Sequence, residues 1–180
     1  MARICYDHPY IKVDLGSVDK STGAASVDPE YTPGFEIRCD SGRYKYLKAN
    51  GVVDEGDLVK FIRSYSIAAI ANFDAASLTT TVSGAVPTDC GICVTDGGLV
   101  DNQWGWFWLG EGEDYCYLTT GIASYTQLCT WTSAGEIAAS GSGDNIADLV
   151  AIDSSTSSGT SLRLCRSVRL LATNFVCSTA

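Results

Sequence analysis

The chain holds a single histidine, His8, and that scarcity removes more chemistry than any other feature of its composition. Ser-His-Asp and Cys-His catalysis both need an imidazole held beside a nucleophile. His8 falls instead in a polar, irregular N-terminal stretch. Histidine-based zinc sites are set aside for the same reason. Long apolar runs are also missing: none approaches the ~20 residues that a membrane-spanning helix needs, so no membrane partner is expected. Charged residues are only 18% of the chain, and the formal net charge is −9. That excess of acid argues against nucleic acid, which calls for a positive face. The one basic cluster, Arg163, Arg166 and Arg169 in "LRLCRSVRLL", reads as solvated or paired with local carboxylates. The start, "MARICYDHPYIKVD", lacks the apolar core of a signal peptide, so synthesis in the cytoplasm is expected.

Cysteine, by contrast, is plentiful, with eight residues. Without a secretion signal the expectation is reduced thiols serving as small buried hydrophobes. Cys116, between Tyr115 and Tyr117, fits an inward strand position. Cys90-Gly91-Ile92-Cys93 is a CxxC, but it supplies only two metal ligands, and no second pair has matching spacing. It runs on into a turn, "VTDGG", rather than the helix a thioredoxin-like site requires. Two core thiols on a strand is the plainer account. The carboxylates Glu111, Glu113 and Asp114 crowd one stretch, which reads as a solvated turn. No catalytic set, cofactor site or metal site is expected, and the chain reads as non-enzymatic.

At 180 residues one domain is the default. Residues 1–27 read as an extended N-terminal arm, and 28–180 as a single β domain. "FEIRCD" (35–40) and "RYKY" (43–46) alternate apolar and polar side chains, the mark of half-buried strands. Asn50-Gly51 is a hairpin signal. Residues 65–76 leave room for a short helix, and the closing stretch "LRLCRSVRLLATNFVC" (162–177) is read as strand in preference to helix. Many short strands separated by Gly and Asn turns predict an all-β fold. The expected form is a compact antiparallel β-sandwich or barrel, jelly-roll-like or open, with at most one or two short helices.

The richest stretch is "DNQWGWFWLGEGEDYCYL" (101–118). Trp104, Trp106 and Trp108 alternate, so on a strand they share one face while Phe107 and Leu109 share the other. Both faces then want cover. The three indoles are either core or an aromatic contact surface for a subunit or ligand. The Gly-rich "GEGED" (110–114) reads as a hairpin turn between two strands. In the arm, His8, Tyr10, Ile11 and Val13 join the tryptophans as candidate interface residues.

Four stretches carry a resemblance. "YKYLKANGVVDEGDLVKF" (44–61) resembles a Y-x-Y-x-K-A-x-G-x-x-x-x-G-D-x-V pattern of small virion proteins of tailed bacteriophages. "DNQWGWFWLGEGE" (101–113) is similar to their later D-N-x-x-G-W strand, "CGICVTD" (90–96) to the strand before it, and "LRLCRSVRLL" to their closing strand. Order and rough spacing match across about residues 42–172, while the wealth of tryptophan and cysteine and the N-terminal arm depart from the pattern. The resemblance implies an all-β capsid decoration, or cement, protein. It would be made in the host cytoplasm and carried on the outer capsid surface, as a homotrimer bound to the major capsid protein. The alternative from the residues is a receptor- or glycan-binding virion module that uses the aromatic face.

Overall fold

The computed structural model describes residues 4–8, 11–15, 29–49, 51–60, 88–101, 103–130, 135–139, 145–155, 159 and 161–175. Every regular element among them is a strand. The first two, β1 (Ile4–His8) and β2 (Ile11–Asp14), form a small antiparallel pair. The others are β3 (Glu36–Cys39), β4 (Gly42–Lys48), β5 (Leu58–Lys60), β6 (Thr88–Cys93), β7 (Trp104–Leu118), β8 (Gln127–Thr130), β9 (Ile137–Ala139), β10 (Asn145–Ala151), β11 (Ser161–Leu170) and β12 (Ala172–Phe175). They form one ten-stranded sheet. The pairings β6–β7, β7–β11, β11–β10, β10–β12 and β12–β6 return to their start, giving a closed five-strand barrel. β3 and β4 extend the sheet from β7, β5 extends it from β6, and β8 with β9 bridges β10 back to β7. Closure leaves the five barrel strands without a free edge, while β3 and β5 end the extensions. The expected all-β barrel is therefore present. The short helix considered at 65–76 lies outside the described residues, and the described part of 162–177 is strand, in β11 and β12, which are joined at Leu171.

β7 organises the rest. Its even-numbered residues Trp104, Trp106, Trp108, Cys116 and Leu118 enter one large core with Tyr44, Tyr46, Ile92 and Leu128. Its odd-numbered Phe107 enters a second, smaller core with Leu47, Val53, Val59, Cys93 and Leu99. So the apolar residues between the indoles are covered by the protein's own chain. Gly105 is small for the same reason: a Cβ there would lie 2.4 Å from Thr95 Oγ1. Trp106 sits amid other rings, with Tyr46 at 5.2 Å, Tyr31 at 5.3 Å and Phe35 at 6.2 Å between centroids. The indole Nε1 atoms of Trp106 and Trp108 are buried and make no hydrogen bond. Each such group costs about 1–3 kcal/mol, but burying an indole of ~200 Å² contributes ~5 kcal/mol. Burial wins, and the unbonded N–H is tolerated.

Three expectations need correction. "GEGED" is not a hairpin turn, because β7 runs through it as one fifteen-residue strand. Gly110 at φ 102° and Glu111 at φ 58° absorb an irregularity instead. Opposite β4, pairing steps from Arg43↔Gly110 to Tyr44↔Trp108, so Leu109 is the extra residue of a bulge. Opposite β11, register slips between Ser167↔Gly112 and Leu170↔Gly110. Gly-rich sequence serves a bulge as well as a turn, since both need positive φ. Second, Asn50-Gly51 does not join a hairpin: β4 pairs with β3 and β7, and β5 pairs with β6. Third, part of the expected arm belongs to the body. Val13 is 0% exposed and Leu15 2%, both inside the large core, and β1 lies against β3. Val13 on β2 and Leu15 just past its end are two apolar residues, a signal too short to stand out in a polar stretch.

The bulge makes Gly110 a sensitive position. A Cβ there would stand 2.2 Å from the Arg169 carbonyl oxygen, at a φ that L-residues avoid. Gly110→Ala is expected to lower stability by about 2–4 kcal/mol. Gly97→Ala, at φ 76° with no atom within 4 Å, should cost only about 1 kcal/mol. Urea unfolding of the two variants checks this, and equal losses would contradict the account.

Candidate functional site

The second core covers the odd face of β7 only as far as the bulge. Beyond it the even residues Asp114, Cys116 and Leu118 stay buried, while Glu113, Tyr115 and Tyr117 turn outward. Opposite them β11 presents Leu162, Leu164 and Arg166, registered against Tyr117, Tyr115 and Glu113. An open groove of about 730 Å³ lies at the bulge end of this face. Its walls are Arg38 on β3 with Asp40 and Ser41 of the β3–β4 turn, the bulge with Glu111 and Glu113, and β11 with Leu164, Arg166 and Val168. The volume is in the range of small-ligand clefts.

Local bonding fixes this geometry. Tyr44 Oη donates to Asp114 Oδ2 at 2.8 Å, and Ser41 Oγ lies 2.7 Å from the same hydroxyl. Asp114 Oδ1 accepts the Tyr115 N–H at 2.7 Å, and the Glu113 N–H donates to the Ser41 carbonyl at 2.9 Å. Asp114 is thereby buried yet satisfied, and the turn is tied to β7. Arg166 grips one oxygen of Glu113 through Nε at 2.6 Å and through a second nitrogen. Glu111 is held differently. Its Oε2 is buried and accepts no hydrogen bond. The Arg38 guanidinium stands 3.6 Å away on a side chain that is 74% exposed.

The residues singled out in the sequence fall elsewhere. Trp106 and Trp108 are 0% exposed and Trp104 6%, so the indoles are core and offer no aromatic surface to a subunit or sugar. Val13 is likewise core. The side chains of His8 and Ile11, and Tyr10 altogether, lie outside the described residues. Of the three arginines, Arg166 pairs with Glu113, Arg169 Nε pairs with Asp148 at 2.9 Å, and Arg163 is half-buried opposite Cys116. The groove itself was missed, because Glu111, Glu113 and Asp114 read as one solvated turn. The missed signal is that the even–odd alternation of 104–109 resumes in phase at 114–118.

The cysteines divide by face. Cys90 enters the large core and Cys93 the small one, since residues three apart on a strand point opposite ways. Both are free. Burial pushes the Cys93 thiol up to about 12, far from the thiolate a redox pair needs. Cys39 corrects the expectation of reduced thiols throughout, because it is disulfide-bonded. Among the described residues no group of three or more His, Cys, Asp or Glu side chains is placed to hold a metal.

Asp57, at the entry to β5, is the other unusual charge. Burial raises it from an ordinary 3.8 to about 6, the Asp54 and Glu136 charges add to the rise, and a bond from the Asp54 N–H opposes it. Gly135 lies against the carboxylate, where a Cβ would approach its Oδ1 to 2.6 Å.

No family model matches the chain, and no curated protein is significantly similar to it.

Two outcomes are expected. Asp57 carries its proton more readily folded than unfolded, so its contribution is full below pH ~4 and is lost as pH rises through about 6. Stability should fall across that window, and Asp57→Asn should flatten the fall. Unfolding midpoints from pH 3.5 to 7.5 test this, and an unchanged slope in the variant would refute it. Reduction of the Cys39 disulfide should remove about 2–4 kcal/mol and lower Tm by roughly 5–15 °C. Calorimetry with and without reductant, beside non-reducing peptide mapping, reads both.

Proposed function

We propose that this protein is a non-enzymatic virion structural protein that binds the outside of a tailed-phage capsid and stabilises the shell by bridging capsomers. The observation that carries this reading is where the four resembling stretches meet. β4 overlaps 44–61, β6 overlaps 90–96, β7 begins within 101–113, and β11 overlaps 162–171. β4, β6 and β11 all pair directly with β7. Four scattered likenesses thus meet around one strand, as a shared fold pattern would bring them.

Two further features support the reading. The outer face carries Tyr115 at 40% exposure, Leu162 at 36%, Val168 at 70% and Leu170 at 43%. Large exposed side chains grouped on one rigid face suit a protein contact. The disulfide at Cys39 suits a protein that works outside a reducing cytoplasm, as on a virion surface. The proposed partners are the major capsid protein and two further copies of the chain. The contact surface is assigned to the β7–β11 face, since Val13 and the tryptophans are committed to the core. Stabilisation then follows from mass action: a protein that binds the assembled lattice and not its dissociated parts shifts the equilibrium by its binding free energy at each site.

Co-sedimentation with shells stripped of this protein is the test. The expected result is saturable binding at a fixed ratio to the major capsid protein, with a raised shell Tm. Val168→Asp, on an exposed position, should weaken binding by about tenfold and leave the fold unchanged. Absence of binding by the unaltered protein would overturn the proposal.

A further inference from the structure

We infer that Arg163 and Ser161, neighbours on the core face of β11, form a binding site for a phosphate group. The argument begins with the direction of these side chains. In an antiparallel ladder, residues directly opposite each other point to the same face. Arg163 stands opposite Cys116 and Ser161 opposite Leu118, and both of those are 0% exposed members of the large core. Cys165 and Ser167, of the same parity on β11, are 0% exposed as well. Arg163 therefore points inward, at the end of the barrel where β11 begins. A charge on a core face is ordinarily paired. Arg166 and Arg169 have Glu113 and Asp148. Arg163 differs. Its side chain makes no hydrogen bond or ion pair with any described residue, and its Nε is out of water and unbonded. Asp114, opposite Cys165 on the same face, bonds instead to the Tyr44 hydroxyl and the Tyr115 N–H.

Ser161 repeats the pattern about 7 Å along the strand. Its Oγ is buried and unbonded too. Neighbouring serines are engaged. Ser155 Oγ donates to the Thr119 carbonyl at 2.6 Å and accepts the Ile122 N–H at 3.0 Å, and Ser167 Oγ donates to the Arg169 carbonyl at 2.9 Å. The Ser155 bonds also fix Thr119 and Ile122 as a rim just beyond Leu118. Two polar side chains thus share one strand face beside a fixed rim, with their donors unused by the chain. The chemistry of those donors selects the ligand. The guanidinium is a planar fork that matches phosphate bidentately. Its root is desolvated at Nε, while the two terminal nitrogens are neither bonded to a described residue nor closed off from solvent. A partly desolvated cation holds an anion more strongly than one in water. The Ser161 hydroxyl breaks no bond in turning toward a ligand. A phosphate has an oxygen left for it once the fork is filled, whereas the fork takes both oxygens of a carboxylate. The net charge of −9 repels anions at long range, but it is screened beyond about 8 Å at physiological salt, so the local fork decides.

This inference is independent of the capsid reading. The full chain is melted in a phosphate series, with sodium chloride holding the ionic strength constant, and its arginine Nε–H signals are followed by ¹⁵N NMR. Inorganic phosphate is expected to raise Tm saturably and to shift the Arg163 Nε–H signal, while chloride and acetate do neither. Arg163→Met should weaken the response at least about tenfold. Without phosphate that variant should melt no lower than the unaltered chain, because no bond within the protein is lost. A structural role for the arginine predicts the reverse, a lower Tm with the phosphate response kept. Ser161→Ala retains the fork and should weaken binding about fivefold. Should Arg163→Met fail to fold, Ser161→Ala and the Nε–H signal decide. O-Phosphoserine titrated in parallel separates the sources: tighter binding than inorganic phosphate marks a phosphate monoester as the ligand, and weaker binding marks the free ion. An equal response to acetate, an unmoved Arg163 Nε–H signal, or a full response in either variant would overturn the inference.

Discussion

The fold depends on one strand being buried on two sides. Three indoles cannot share a strand face unless a large core receives them, and Phe107 and Gly105 cannot occupy the other face unless a second core closes over it. β7 meets both demands by standing where the barrel wall meets the β3–β4 and β5 extensions. Each neighbour is then constrained. β4 must bring Tyr44 and Tyr46 to the indole side, and Leu47 to the other. β6 must divide its cysteines between the two cores. The buried, unbonded indole N–H groups show which term dominates, since apolar area outweighs two unmet donors.

The same constraint creates the groove. A strand of fifteen residues cannot follow the twist of a small barrel without a break in register, and the break falls at Gly110 and Glu111. There the second core ends and the odd face of β7 passes from buried to open. Charged residues occupy the transition because they are the first on that face with no apolar cover. The Tyr44–Asp114 bond anchors it from beneath, and the Glu113–Arg166 pair from above. Groove, bulge and second core are consequences of one another rather than separate features.

Much of this was legible in the sequence where period two is unbroken. β3, β4, the first half of β7 and Cys116 were read correctly because side-chain alternation over several residues has one structural meaning. The bulge was not legible, because glycines with acidic residues between them satisfy a hairpin turn and a bulge equally. Nor was the place of Val13 and Leu15, two apolar residues in a polar stretch whose burial depends on a distant sheet. The tryptophans were assigned the right strand and the right parity, but only packing could say what covered the second face.

The sequence by itself determined the fold class and that both faces of the tryptophan strand need cover. It did so because alternation, turn residues and the lack of a second period are local properties. Tertiary structure decided which pairs of strands meet, and that β7 continues through its glycines. It also decided that Cys39 is bonded while Cys90 and Cys93 are held apart, and that Arg38, Glu111 and Val168 line one groove. Each of those joins residues far apart along the chain, and no local pattern encodes the register that brings them within reach.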